Sequence, residues 1–128
     1  MAKILIVDDD PDIQAALKTI LEGSAYQVVA AYDGDEGLRK VVDEMPDLIV
    51  LDVMMPRKHG FEVCRQLKTD PAYHSFAQIP VLMLTVYPDE RQRIHRSMQK
   101  WDVTAEAYIQ KPFDPQEVLD RVKQLLGE

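Results

Sequence analysis

The chain has a single cysteine, Cys64, among 128 residues, so no internal disulfide is possible and a reducing, cytoplasmic setting is expected. No apolar run approaches the roughly eighteen residues of a membrane span. The run after Met1-Ala2-Lys3 stops at Asp8, too short for a signal peptide. Basic side chains are in deficit, 15 against 22 acidic ones, for a formal charge of −7. That balance argues against direct attachment to nucleic acid or to an anionic membrane, and it leaves carboxylates to collect a cation. Glycines number five, and none follows the first apolar run, which excludes a glycine-rich nucleotide loop there. Repeats, low-complexity stretches and Gly/Ser linkers are also missing, so one domain over residues 1–128 is the economical reading.

What is present is an alternation of short apolar runs with helical patterns. Ile4–Val7 has no polar alternation, as expected of a strand covered on both faces. Asp10 and Pro11 then offer an N-cap and a first helical position, and Ile13, Ala16, Leu17, Ile20 and Leu21 follow at helical spacing to Gly23. Val28–Ala31 is a second strand, and Leu38, Val41, Val42 and Met45 mark a second helix ended by Pro46. Leu48–Leu51 precedes a helix striped by Phe61, Cys64 and Leu67. Val81–Leu84 precedes a polar helix carrying Ile94, Met98 and Trp101. Tyr108-Ile109 is a short fifth strand, and Asp114, Pro115 and Glu117 announce a last helix through Val118, Val122, Leu125 and Leu126. Five strand–helix alternations predict an α/β domain with a parallel sheet and helices on both faces.

The polar residues gather at the ends of those strands. Strand one runs into Asp8-Asp9-Asp10, strand three into Asp52, strand four into Thr85, and strand five into Gln110-Lys111. In an open parallel sheet these carboxyl ends share one edge, where ligands bind. If strands one and three are neighbours, Asp8, Asp9 and Asp52 lie in one cleft, where their repulsion calls for a cation or a proton. A hard divalent ion, magnesium or manganese, suits such oxygen ligands. A carboxylate can attack phosphorus, Lys111 can place a charge on the transferring oxygens, and Thr85 can donate a hydroxyl hydrogen bond. His59, His74 and His95 fall outside the strand ends and suggest no triad.

Ile4–Asp10, Leu51–Pro56, Leu84-Thr85 and Tyr108–Phe113 together resemble the signatures of a response-regulator receiver domain, in order and over essentially the whole chain. The resemblance implies a flavodoxin-like fold, a five-stranded parallel sheet in the order 2-1-3-4-5 with five helices. It implies that Asp52 is a phosphoacceptor served by a sensor histidine kinase or phosphotransfer protein. Asp8 and Asp9, with Asp52 and the Met54 backbone carbonyl, would hold the magnesium. Thr85 and Tyr108 would be the switch pair, Lys111 the phosphate-contacting lysine, and Lys111–Pro112 a cis peptide. Added charge on Asp52 would then shift the face formed by the fourth helix, fifth strand and fifth helix, to which an output domain, a target protein or a second copy would bind.

Departures from the family pattern are Val86 where a small residue is usual, the bulky Tyr87 after it, and Thr104 where glycine is common. The segment between Thr85 and Lys111 is also long. Val86, Tyr87 and Met54 are therefore expected to crowd the mouth and slow both labelling by small phosphodonors and hydrolysis.

Plainer readings exist for each residue. Asp10 is a cap, Cys64 a small buried hydrophobe, and Met45, Met98 and Trp101 are packing. Met54 and Met55 are read as a loop lid, and Asp89–Arg96 as a solvated helix face. Asp52, Thr85, Tyr108 and Lys111 taken singly are turn, strand-end, core and loop residues, yet all coincide at one edge. Three rival functions fit parts of the pattern: a phosphorylation-independent receiver acting as a binding module, a magnesium-dependent phosphatase, for which no cap domain fits in this length, and a flavin carrier, which calls for a hydroxyl-rich first loop. The sequence ends at Leu126-Gly127-Glu128, compatible with a stand-alone regulator or with removal of an output domain.

Overall fold

A computed structural model describes residues 1–85 and 105–128. Its strands are β1 (Lys3–Val7), β2 (Gln27–Ala31), β3 (Leu48–Asp52), β4 (Val81–Thr85) and β5 (Ala107–Gln110). All pair in parallel, in the order β2-β1-β3-β4-β5. The helices are α1 (Pro11–Glu22), α2 (Gly34–Glu44), α3 (Gly60–Thr69) and the C-terminal α4 (Pro115–Leu126), which is the fifth helix of the sequence pattern. The helix expected around Ile94, Met98 and Trp101 lies outside the described residues, as do Val86, Tyr87 and Thr104.

Strand alternation divides the core into two halves. Ile4, Ile6, Val50, Leu82 and Leu84 point to one side and pack against Leu17 and Leu21 of α1 and Val118 and Val122 of α4. Leu5, Val7, Ile49, Leu51 and Met83 point to the other, under Leu38 and Val41 of α2 and Phe61, Cys64 and Leu67 of α3. Helices on both faces leave β3 and β4 wholly buried, which is why these strands read as unbroken apolar runs.

Aspartates start three of the helices. Asp10, Asp33 and Asp114 each stand in extended backbone and accept a hydrogen bond from an N–H of the first turn. Gly127 closes α4 at φ 75°, a left-handed conformation that favours glycine. The Lys111–Pro112 peptide is cis.

Three packing expectations need correction. Met45 is exposed, because it caps α2 in a left-handed conformation that turns it off the buried stripe. Val42, beside it, is also exposed, since α2 buries Gly37, Leu38 and Val41 instead. Met55 is buried in the α2–α3 half of the core and is no lid; only Met54 of that pair is exposed. A 3-10 turn at Pro71–Phe76 was not foreseen. It is braced by Lys68, whose Nζ donates to the Ala77 and Ile79 carbonyls and pairs with Glu106 Oε1 at 2.6 Å. Burial pushes the Cys64 thiol up to about 11, as befits an inert core cysteine. Among the described residues, no helix is long and apolar enough to cross a membrane.

Candidate functional site

The register of the sheet builds the site. Val7 is paired with Leu51, so the next residues, Asp8 and Asp52, meet at the carboxyl edge. Asp52 is in turn level with Leu84, one residue before Thr85, and Thr85 is level with Gln110, one residue before Lys111. Sequence positions 8, 52, 85 and 111 are thereby brought to neighbouring strand ends.

Asp8 and Asp52 are buried, and Asp9 beside them is exposed. One carboxylate oxygen from each of the three can be chosen so that all lie within 4.8 Å of one another. Lys111 reaches in from the end of β5. Its Nζ lies 3.0 Å from Asp8 Oδ2 and 3.2 Å from Asp52 Oδ1. Met54 N–H also points to Asp52 Oδ1, at a long 3.4 Å.

Charge burial dominates the electrostatics. Desolvation, reinforced by Asp8, pushes the Asp52 carboxyl up to about 6 even though Lys111 and the Met54 N–H oppose the shift. At Lys111, burial works against the ammonium, but Asp52 and Asp8 outweigh it and hold the pKa above the usual lysine value. One ammonium therefore does not fully compensate the buried carboxylates. Three hard oxygen donors with charge left to neutralise fit a small divalent cation, and Asp8, Asp9 and Asp52 are the residues that could hold it.

Thr85 is buried at the end of β4, and its carbonyl accepts from the Lys111 N–H, which ties the lysine-bearing turn to β4. Tyr108, on β5, is half-buried and packs on the α3 side of the core. Its hydroxyl accepts from the Ala105 N–H at 3.4 Å, and burial pushes the phenol up. Tyr108 is thus the core aromatic of the plain reading, and it stands on the strand that leads into Lys111. Met54 is 52% exposed at the start of the β3–α3 loop.

Two residues of the site were missed. Gln14 is 5% exposed, and its Nε2 lies 3.1 Å from the Ile6 carbonyl, 3.1 Å from that of Asp8 and 2.8 Å from that of Ala31. It fastens the ends of β1 and β2 to α1 and fixes the backbone that presents Asp8. Its signal was a polar residue in step with Leu17 and Leu21, on the buried stripe of α1. Gln14→Leu should cost roughly 1–3 kcal/mol, because buried carbonyls lose their donor while the shape is kept. Urea unfolding checks this; an unchanged midpoint would mean that the amide merely fills space. The second is Gly60, where a Cβ would sit 2.4 Å from the Asp52 carbonyl oxygen. Only glycine lets α3 start so close to the backbone of Asp52.

Fold and cleft define a doubly wound, flavodoxin-like α/β domain with a lysine-braced acidic site at its carboxyl edge. The model of the response regulator receiver domain family matches residues 4–123, and the chain belongs to that family, whose place is in two-component signalling. It is 44% identical over 124 residues to the alkaline phosphatase synthesis transcriptional regulatory protein PhoP of Bacillus subtilis, a match covering 97% of this chain and 48% of that protein. The chain thus spans about half the length of such curated relatives. Among solved structures, a putative response regulator from Chloroflexus aurantiacus superposes with a TM-score of 0.84 at 33% identity, over 99% of this chain and 98% of that one. The signal receiver domain of a signal transduction histidine kinase from Syntrophus aciditrophicus gives a TM-score of 0.85 at 37% identity, over 99% and 91% of the two chains.

Proposed function

We propose that this chain is a phosphorylation-controlled switch in which Asp52 takes a phosphoryl group from a phosphohistidine on a sensor kinase or phosphotransfer protein. The observation that carries this reading is the Lys111 ammonium between two buried carboxylates, Asp8 and Asp52, with Asp9 alongside. A carboxylate oxygen of Asp52 attacks phosphorus, the P–N bond breaks, and its electron pair leaves with the imidazole. At neutral pH a group with a pKa of about 6 is mostly ionised, so the nucleophile is available. Asp8 and Asp9, with Asp52 and the Met54 carbonyl, would hold a magnesium or manganese ion, which supplies charge neutralisation for the phosphoryl oxygens.

The new group brings about −1.5 to −2 charges and three acceptor oxygens. Lys111 exchanges its Asp52 contact for a phosphoryl oxygen, and the Thr85 hydroxyl is drawn toward the same group. Movement there reaches β5 directly, because Lys111 N–H bonds Thr85 and Gln110 is level with it. The face around β5 and α4 then changes its affinity for an output domain, a target protein or a second copy. Relatives of about twice this length named as transcriptional regulators support an output in gene control, reached through another part of the protein rather than through this acidic domain.

The test is a small phosphodonor with magnesium, followed by amide NMR shifts. Shifts at Thr85 and along β5 are expected to accompany labelling; labelling absent under all donors would leave a phosphorylation-independent binding module. Lys111→Ala should still be labelled, with the β5 response reduced several-fold. A full β5 response in that variant would remove Lys111 from the switch.

A further inference from the structure

The chain leaves β3 through a loop, residues 53–59, and one side chain in it is tied to two helices. Lys58 Nζ lies 2.9 Å from Asp35 Oδ1 in the first turn of α2 and donates to Gln66 Oε1 of α3 at 2.7 Å. Its stem crosses Gly34 so closely that a Cβ there would meet the Lys58 Cγ and Cδ at 3.1 Å. The side chain is consequently only 20% exposed, uncommon for a loop lysine.

The backbone beside it needs holding. Arg57 has φ 69°, a left-handed conformation that a non-glycine residue keeps when its surroundings enforce it. Lys58 N–H closes back on the Pro56 carbonyl at 2.7 Å. At the other end of the loop, Val53 is bonded to the Leu84 carbonyl and the Gly60 N–H and Met55 is buried, whereas Met54 itself has, among the described residues, just the 3.4 Å contact of its N–H with Asp52. Met54 is therefore held through its neighbours rather than by bonds of its own, and Lys58 is the side chain that fastens the far end of the loop.

We propose that Lys58 is a positioning residue for the cation: by clamping the loop to α2 and α3 it holds the Met54 backbone beside Asp52. This rests on the reading of Asp8, Asp9, Asp52 and the Met54 carbonyl as cation ligands. Asp35 is 69% exposed, so its ion pair with Lys58 adds little to global stability, and the effect is local to the loop.

Charge and positioning act on the cation in opposite directions. Deleting a lysine near a cation site removes repulsion and should tighten magnesium binding; losing the clamp should loosen it. Magnesium chloride is titrated into the parent, Lys58→Met, Lys58→Arg and Arg57→Gln while amide shifts at residues 8–9 and 52–54 are followed. Lys58→Met should bind roughly three- to ten-fold more weakly, less than the 10–100-fold typical when a direct partner of a ligand is removed. Lys58→Arg should restore most of the affinity, since it keeps the charge and reach. Arg57→Gln, which removes equal charge from the same loop without removing the clamp, should bind as the parent or slightly tighter. Without magnesium, hydrogen exchange at the Met54 and Gly60 amides should quicken in Lys58→Met alone. The role of Lys58 is overturned if Lys58→Met binds as tightly as the parent or tighter, or if Arg57→Gln weakens binding equally. A parent that shows no magnesium shifts at residues 8–9 and 52–54 would instead overturn the reading of the site itself.

Discussion

Asp52→Asn should abolish phosphoryl labelling and, in metal-free buffer at neutral pH, make the protein more stable. Both follow from one buried carboxylate. Burial and Asp8 raise its pKa from 3.8 to about 6 in the fold. Between those values the folded chain holds a proton that the unfolded chain has lost, so stability falls as pH rises through this window. Above about pH 6 the full penalty of the charge is present. Two pKa units correspond to nearly 3 kcal/mol. That pKa already includes the opposing pull of Lys111, so a stabilisation on the order of 2–3 kcal/mol is expected. The difference between parent and variant should shrink as the pH is lowered from 6 toward 4. Magnesium should raise the melting temperature of the parent far more than that of the variant. Chemical denaturation across pH checks the sign: a variant less stable than the parent at pH 7 would show that Lys111 already compensates the charge.

The second large effect is expected at Gly60. Its backbone has no left-handed φ, so conformational freedom is not what requires glycine. The obstacle is steric: a methyl would lie 2.4 Å from the Asp52 carbonyl oxygen and 3.0 Å from the Val53 Cα. Both are backbone atoms in the tightly held end of β3. Overpacking of this kind costs roughly 1–3 kcal/mol, and the better helix propensity of alanine returns less than about 1 kcal/mol. Gly60→Ala should therefore destabilise by about 2 kcal/mol and also move the Asp52 backbone. Unfolding midpoints and the labelling rate should both fall. Unchanged values for both would mean that α3 can shift away at no cost.

β1, β3 and β4 were legible because they are buried on two faces and so appear as unbroken apolar runs, as Ile4–Val7 and Val81–Leu84 do. The helix starts were legible for a local reason as well: Asp10 and Asp114 cap their own first turns. Asp8, Asp9, Asp52, Thr85 and Lys111 stood out because a parallel sheet collects its strand ends on one edge, where Lys111 indeed meets Asp8 and Asp52. The strand order came from family resemblance, since no local pattern says which strand is central. Residues whose role depends on partners distant in sequence were hidden. Gln14 meets the Ala31 carbonyl, Lys68 meets Glu106, and Gly60 meets the Asp52 backbone, none of which spacing alone reveals. Met55 was misread because neighbours in a loop need not share an environment. Met54 faces outward while Met55 turns into the core.

The central claim is that Asp52 is the phosphoacceptor of a magnesium-assisted site. It is tested most directly by incubating the parent with a small phosphodonor, with and without magnesium, and trapping the product by borohydride reduction before peptide mass analysis. An aspartyl phosphate at position 52 is reduced to homoserine there, and the conversion should depend on magnesium and vanish in Asp52→Asn. Homoserine at another aspartate in the parent, or equal labelling without a divalent ion, would contradict the account.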